Sequence, residues 1–317
     1  MVNRGTEIIG KTFDYTNEDV FPVWVRTELS KPGPYNDKTK QWLMENGLVF
    51  CEVVLGNSAS DRICRAMYSG GFLGWGDVDN WIGNRGQGAI REAVSAMQAL
   101  INRLEVCSKW IADFLTTKYR NRQNDEKRFV IKDLGAGCGS YAFRTLDILR
   151  SRGEIDLNWI DWQCLEIAED AICYGTKRLK ESPYEGIISF NKCNFLSQDS
   201  YPENPDERGD LTLLIGIICA MSVEQSENCL QKIVPHTKEG SSLLITTLSS
   251  LAFEENPKMF RVLVNLGWGL QPKTYDEVVN LVNETDWAIK WTGSERRDLR
   301  TGAEIPGEYI MVHGVLQ

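Results

Sequence analysis

The sequence predicts an α/β protein with a doubly wound, mostly parallel seven-stranded sheet, preceded by a mainly helical N-terminal segment. From residue 128 onward, short apolar runs alternate with helical patterns, which is typical of a parallel sheet covered on both faces. One of these runs, residues 129–134, ends in an acid and leads into a glycine-rich turn. Earlier in the chain, apolar residues recur at steps of three, four or seven, which predicts one long amphipathic helix over residues 88–119.

Composition limits the classes of protein to which this chain can belong. Its 317 residues can form one large domain or two smaller ones, and 42% hydrophobic with 25% charged residues is ordinary for a soluble globular protein. The chain has no apolar run of about 18 residues, so we expect no membrane span. The N-terminus lacks the apolar core of a signal peptide. A net charge of −9 argues against a nucleic-acid partner, because such partners need clustered Lys and Arg.

The nine cysteines indicate a reducing compartment. They are scattered, none forms a Cys-x-x-Cys pair, and several fall inside apolar runs. Such cysteines are typical of buried thiols in a cytoplasmic protein, and their spacing predicts no metal site.

The N-terminal part differs in composition from the rest of the chain. Residues 11–85 are rich in glycine and in aromatic residues, among them Tyr35 and Trp75. The long predicted helix then ends in a polar run over residues 118–128, which is the best candidate for a linker. We therefore predict two parts, a mainly helical segment over 1–125 and an α/β domain over 126–317.

The glycine-rich turn is the most informative stretch. The apolar run that ends at Asp133-Leu134 is followed by Gly135, Gly137 and Gly139, and then by a helical pattern. This predicts a buried strand, a tight turn and a helix whose N-terminal N–H groups face a ligand site. An ordinary glycine-rich turn is one alternative. A dinucleotide site is another, but its Gly-x-Gly-x-x-Gly pattern is broken here by Ser140.

The second predicted strand covers residues 157–165 and ends at Glu166, before a helical pattern over 167–179. A carboxylate at the tip of this strand can accept hydrogen bonds from both hydroxyls of a ribose. Alternatively, Glu166 serves only the start of the helix.

Five further strands complete the predicted sheet. The third covers 186–190 and continues to 196, and the fourth covers 210–219 with Gly216 in its middle. A predicted turn at 238–240 leads into the fifth strand, and two more strands close the chain; these last three cover residues 242–248, 287–291 and 308–316.

These motifs, taken in order, resemble those of the class I S-adenosylmethionine-dependent methyltransferases. The resemblance rests on the Asp-x-Gly-x-Gly-x-Gly run from Asp133, the acid Glu166, the polar Asn194 after the third strand, and the fourth strand with Gly216. It covers about residues 128–317 and says nothing about residues 1–125. The family usually has Asp where this chain has Asn194, and a turn at Asn194 is an equally good interpretation.

The resemblance implies a cofactor site for S-adenosyl-L-methionine. The residues that it assigns to this site are Asp133, Gly135, Ala136, Gly137, Gly139, Tyr141, Glu166, Ile167, Asn194, Phe195, Ile215 and Gly216. Tyr141 has an alternative role, which is packing at the helix start.

The implied function is methyl transfer from S-adenosylmethionine to a small organic acceptor. Aminopropyl or aminobutyl transfer from the same cofactor, and a catalytically silent cofactor-binding protein, are the alternatives. Tyr35, Trp75 and Cys219 are candidates for the acceptor site, and the aromatic N-terminal segment is predicted to be a lid, or alternatively only the core of a small helical unit. The sequence points to no catalytic base, since His236 and His313 fit structural roles.

Overall fold

The computed structural model describes residues 24, 27, 36–39, 88–122, 127–255, 270–294 and 309–317; the side chains of residues 88–101, 170, 253 and 255 lie outside this description. The chain divides into two compact units, one of residues 1–101 and 252–270 and the other of residues 102–251 and 271–317. The second unit contains the sheet. The predicted boundary between residues 125 and 126 stays a prediction.

The second unit is built on one seven-stranded sheet with the order β3-β2-β1-β4-β5-β7-β6. Strands β1 to β5 are parallel, and β7 is antiparallel to both β5 and β6. The predicted doubly wound, mostly parallel sheet is therefore confirmed. The strands are β1 Phe129–Leu134, β2 Ile160–Glu166, β3 Ile188–Lys192, β4 Gly209–Ile215, β5 Thr237–Leu248, β6 Trp287–Ser294 and β7 Tyr309–Leu316.

Helices connect the strands and cover both faces of the sheet. The described α-helices are α1 Gly88–Arg120, α2 Ser140–Arg152, α3 Glu169–Lys180, α4 Val223–Ile233, α5 Ser250–Glu255 and α6 Tyr275–Asn283. The long helix predicted over 88–119 is thus confirmed as α1. No helix in the described ranges is long and apolar enough to cross a membrane.

One face of the sheet is covered by α4 and α6. Leu230 and Ile233 of α4, together with Leu281 of α6, form one buried cluster with strand residues such as Leu214 and Val312. Both helices begin with a capping box, in which a hydroxyl side chain and a Gln or Glu side chain bond to backbone N–H groups in a reciprocal way. The capping box and the buried apolar stripe therefore both stabilise these two helices.

On the other face, residues 102–120 of α1 run beside α2 in the same direction. The contacts advance together along both helices, from Glu105 with Arg144 to Asp113 with Arg152. Further along, Phe114 of α1 packs edge-on against Phe129 of β1. The C-terminal half of α1 is therefore a layer of the α/β unit.

Four predicted strand boundaries are wrong, each for a local reason. Leu157–Trp159 is a 3-10 helix and not strand, because Asp156 accepts a hydrogen bond from the backbone of Asn158 and starts a turn. The third strand ends at Lys192 and does not continue to residue 196, since a turn begins at Asn194.

The fourth strand ends at Ile215, so Gly216 lies just beyond it and not in its middle. The predicted turn at 238–240 lies within β5, where the register between β4 and β5 shifts and Gly240 has φ +73°. A bulge, and not a strand start, therefore explains this glycine.

Candidate functional site

The sheet has a reversal of strand order between β1 and β4. Chain connections run outward from β1 to β2 and β3 on one side, and from β4 to β5 on the other. Connections that leave in opposite directions open a crevice outside the carboxyl ends of β1 and β4, and open α/β sheets bind their ligands there. The glycine-rich turn follows β1 at this point, and Gly216 follows β4.

The glycine-rich turn has a conformation that only glycine adopts readily. Gly135, Gly137 and Gly139 have φ of +68°, +57° and +75°, respectively. Space is also short: a Cβ at Gly135 would lie 2.3 Å from Cδ1 of Ile217, and one at Gly139 would lie 2.8 Å from Cζ of Phe190. The turn therefore depends on glycine both for its backbone angles and for its close contacts with Ile217 and with Phe190 of β3.

Glu166 ties this turn to the end of β2. One carboxylate oxygen, Oε2, accepts a hydrogen bond from the N–H of Gly137 at 2.7 Å. The other, Oε1, accepts from the N–H groups of Ile167 and Ala168, both at 2.8 Å. Since a carboxylate oxygen accepts about two in-plane hydrogen bonds, Oε2 retains the capacity for one more donor. Glu166 therefore serves the approach to α3, as the second interpretation expected, and also bonds to the glycine turn; its contact with a ribose stays a prediction.

Asp133 is buried near the end of β1, where it pairs with Cys164 of the neighbouring strand β2. Its side chain is 2% exposed, and Oδ2 accepts a hydrogen bond from Nε1 of Trp162 at 3.2 Å. Burial raises the pKa of Asp133 from 3.8 to about 7, the hydrogen bond from Trp162 opposes this rise, and the nearby Glu166 carboxylate adds to it. The buried carboxylate is thus held against β2 by Trp162, and a contact of Asp133 with the cofactor stays a prediction.

The segments that follow β2 and β3 supply an apolar surface beside the turn. The side chain of Ile167 is 63% exposed, directly after Glu166. Phe195 is buried, and its ring edge would lie 3.7 Å from a Cβ at Gly135. Asn194 forms the turn that the sequence allowed, since its Oδ1 accepts from the N–H of Leu196 at 3.1 Å.

A short loop follows β4 and is held by hydrogen bonds to β5 and by one hydrogen bond within the loop. Gly216 has φ +74°, and its N–H donates to the carbonyl oxygen and hydroxyl of Thr246 at 3.1 and 3.0 Å. Sγ of Cys219 donates to the carbonyl oxygen of Gly216 at 3.0 Å, and burial raises the pKa of this thiol. Ile215 is buried at the strand end.

Lys273 also holds this loop, through hydrogen bonds to its backbone carbonyl oxygens. Its side chain is 1% exposed, and Nζ donates to the carbonyl oxygens of Ile218, Met221 and Gln271 at 2.8, 2.7 and 3.2 Å. These three acceptors use all the donors of an ammonium group. Burial lowers the pKa of Lys273.

Arg103 of α1 is a residue of this site that sequence reasoning missed. Its Nε donates to Oη of Tyr141 at 2.9 Å, and both side chains are buried. The one available signal was its position, because Arg103 lies four residues before the buried Cys107 on the apolar side of the helix.

Two residues predicted for the acceptor site, Tyr35 and Trp75, lie outside the described residues.

The two histidines lie away from the glycine turn. His236 precedes β5, at the end of that strand opposite the crevice, and its Nε2 lies 2.8 Å from the carbonyl oxygen of Phe195. His313 lies on β7 against Trp110. Among the described residues, no group of three or more His, Cys, Asp and Glu side chains has the arrangement of a metal site.

Comparison with solved structures identifies the fold. No protein-family model matches the sequence, and no curated protein matches it. The magnesium protoporphyrin IX methyltransferase of Synechocystis PCC 6803, solved with bound SAH, aligns over 82% of this chain and 95% of its own, with a TM-score of 0.53 and 10% identity. PhzM, a pyocyanin biosynthetic protein, aligns over 89% of this chain and 77% of its own, with a TM-score of 0.47 and 16% identity. The α/β unit therefore has the fold of the Synechocystis methyltransferase.

Proposed function

We propose that this protein transfers a methyl group from S-adenosyl-L-methionine to a small organic acceptor. The observation that carries the proposal is the junction of the glycine turn with Glu166, which lies where the strand order reverses between β1 and β4. The fold supports it, since the Synechocystis enzyme with this fold is a methyltransferase that was solved with SAH.

The residues present suit this cofactor. Oε2 of Glu166 has room for one ribose hydroxyl beside the Gly137 N–H. The exposed Ile167 offers an apolar face to the adenine ring, with Asn194 and Phe195 beside it. The methionine part would lie along the glycine turn, which carries no side chain at its three positive-φ positions. Tyr141, Ala136, Ile215 and Gly216 would complete the enclosure.

A dinucleotide site fits less well. Its third glycine would stand at Ser140, which is instead the first residue of α2. The sheet also departs from the 3-2-1-4-5-6 order of a dinucleotide-binding fold, because the antiparallel β7 lies between β5 and β6.

Methyl transfer requires the protein mainly to align the two reactants. The sulfonium of S-adenosylmethionine activates the methyl carbon, and the chain positions the acceptor in line with it and excludes water. A base is needed only where the acceptor must lose a proton. We assign no residue to that role. Methyl transfer is preferred over aminopropyl transfer or silent binding because the Synechocystis enzyme with this fold is a methyltransferase.

The proposed setting is the cytoplasm, with a small molecule and not a nucleic acid as the partner. A net charge of −9 opposes broad phosphate contact. Cys173, Cys193, Cys219 and Cys229 are free thiols, as expected in a reducing compartment.

A labelling assay tests the function. The purified protein is incubated with S-adenosylmethionine that carries a labelled methyl group and with a small-molecule extract, and the products are analysed by mass spectrometry. We expect a labelled small molecule together with S-adenosylhomocysteine. Transfer of the aminopropyl chain, tight cofactor binding without product, or binding of NAD in place of S-adenosylmethionine would each contradict the proposal.

A further inference from the structure

Arg103 places a buried cation at the crevice between β1 and β4. The side chain is 7% exposed. Its guanidinium lies 4.3 Å from the ring centroid of Tyr309. A Cβ added at Gly216 would lie 2.8 Å from Nη1 and 3.1 Å from Nη2. The guanidinium therefore spans the ends of β4 and β7, and the lack of a side chain at Gly216 leaves room for it.

Two contacts fix the orientation of this guanidinium. The bond from Nε to Oη of Tyr141 anchors one edge. The ring of Tyr309 holds one face, as expected for a cation stacked on an aromatic ring. The opposite edge, with Nη1 and Nη2, is directed away from Tyr141 and towards the strand ends. An arginine held in this way is a rigid fork of donors.

The charge of Arg103 is not neutralised by any carboxylate of the described residues. These residues supply one acceptor, Oη of Tyr141, to its five N–H donors. By contrast, the more exposed Arg144 nearby makes two hydrogen bonds of 2.6 Å to the carboxylate of Glu105. A buried charge normally needs an anionic partner, because desolvation of an unpaired ion costs several kcal/mol.

A carboxylate is the ligand that best fits this fork. Its two oxygens accept the parallel N–H bonds that a guanidinium edge offers. The sulfonium of the proposed cofactor would lie in the same crevice, and a second cation there is unfavourable unless an anion lies between the two positive charges. A carboxylate at Nη1 and Nη2 satisfies both requirements.

We propose that Arg103 is the carboxylate-binding residue of this crevice. The proposal rests on the function proposed above, and the carboxylate belongs either to the amino-acid part of the cofactor or to the acceptor. Tyr141 and Tyr309 act as positioning residues that hold the guanidinium.

Calorimetry distinguishes the two sources. The ligands are S-adenosylhomocysteine, which has the carboxylate, and 5′-methylthioadenosine, which lacks the whole amino-acid part. If the carboxylate belongs to the cofactor, Arg103→Gln lowers the affinity for S-adenosylhomocysteine by at least about tenfold, which corresponds to about 1.4 kcal/mol. The affinity for 5′-methylthioadenosine stays unchanged. Arg103→Lys, which keeps the charge but not the fork, gives an intermediate loss. Arg144→Gln is the matched control and leaves both affinities unchanged.

If the carboxylate belongs to the acceptor, both nucleoside affinities survive in Arg103→Gln. Benzoate, titrated into the protein saturated with S-adenosylhomocysteine, then binds to the wild type and not to Arg103→Gln, and benzamide binds to neither.

Three results overturn the proposal: an equal loss of affinity for both nucleosides, unchanged nucleoside affinities together with equal binding of benzoate by wild type and Arg103→Gln, or no effect of either Arg103 variant on the binding of any ligand. If the wild type binds no S-adenosylhomocysteine, the proposed function fails. Titration of benzoate into the ligand-free wild type and Arg103→Gln then still decides whether Arg103 binds a carboxylate.

Discussion

At the scale of single residues, Glu166 has the greatest effect on the proposed cofactor site. Its carboxylate holds Gly137, Ile167 and Ala168 by their N–H groups, so it shapes the turn and also faces the ribose position. We expect Glu166→Ala to lower the affinity for S-adenosylhomocysteine by about 10-fold to 100-fold, which is the scale of losing hydrogen bonds to a charged group. Calorimetry measures this loss.

Glu169→Ala is the control for this substitution. Glu169 lies three residues further on at the start of α3, is exposed, and forms an ion pair with Lys192. Its removal changes the charge near the site by the same amount without touching the turn. Equal losses in the two variants would assign the effect to general electrostatics and contradict the role of Glu166.

Asp133 makes the stability of the protein depend on pH. Its pKa is raised from 3.8 to about 7 in the folded state, chiefly by burial. Between these two values the unfolded chain has released the proton while the folded chain retains it, so the free energy of unfolding falls as pH rises through this interval. The contribution is complete below about pH 4 and is lost by about pH 7.

Asp133→Asn removes this dependence. We expect the melting temperature of the variant, relative to wild type, to increase from about pH 4 to about pH 7 and then to level off, since the amide carries no charge to bury and its oxygen still accepts from Trp162. Thermal denaturation across this range measures it. Asp113→Asn, which affects an exposed acid paired with Arg152, serves as the control, and a parallel pH profile for Asp133→Asn and wild type would refute the assignment.

At the scale of elements, the loop after β4 is held by Lys273. The three carbonyl oxygens that its ammonium bonds belong to two segments of chain, and one of them includes the 3-10 helix Ile218–Ala220 beside Cys219. Catalysis by alignment is sensitive to displacements of about 1 Å. The anchoring of this loop should therefore affect turnover more than cofactor binding.

Lys273→Met tests this expectation, because methionine keeps the length of the side chain and removes the donors. We expect turnover of the identified acceptor to fall by at least about tenfold, while the affinity for S-adenosylhomocysteine changes by less than about threefold. Lys238→Met is the control and keeps its turnover, because Lys238 lies near the start of β5 and pairs with Asp210 near the start of β4, far from this loop. A lower melting temperature with unchanged turnover would leave Lys273 only a structural role.

The elements also show how far sequence patterns reach. Apolar runs predicted all seven strands and the long helix, because burial of a strand or a stripe depends on local composition. Strand ends were less predictable. The run after Ile215 stays apolar although the strand has ended, because Ile217 packs on Gly135 and Ile218 enters the core.

Within the site, the glycines and Glu166 were predictable and the two buried cations were not. The glycine turn has a sequence pattern of its own, which its positive φ values explain. Arg103 and Lys273 act through partners 38 and 55 residues away in the chain. No local pattern distinguishes such a residue from a solvated one, so only the packing of α1 and of the segment before α6 reveals it.

At the scale of the whole molecule, the α/β unit supplies the crevice proposed for the cofactor, and a further segment has to enclose the acceptor. The crevice lies at the carboxyl ends of the parallel strands, where a ligand is exposed to water unless another segment covers it. Residues 11–85 combine aromatic residues with glycines, and aromatic rings give a large rigid apolar wall with one polar group. We therefore propose that residues 1–85 form the lid and the acceptor pocket.

The double variant Trp75→Ala with Tyr35→Ala tests this proposal in the full chain, where a truncation would risk loss of folding. A lid and pocket predict nearly unchanged affinity for S-adenosylhomocysteine, since the cofactor motifs lie after residue 128. Turnover is expected to fall by at least about tenfold, which corresponds to roughly 1.4 kcal/mol of lost transition-state stabilisation. Calorimetry and initial rates with the identified acceptor measure the two quantities. Unchanged turnover with a lower melting temperature would instead place both rings in the core of a helical unit, since loss of packing destabilises the fold without moving the reacting groups.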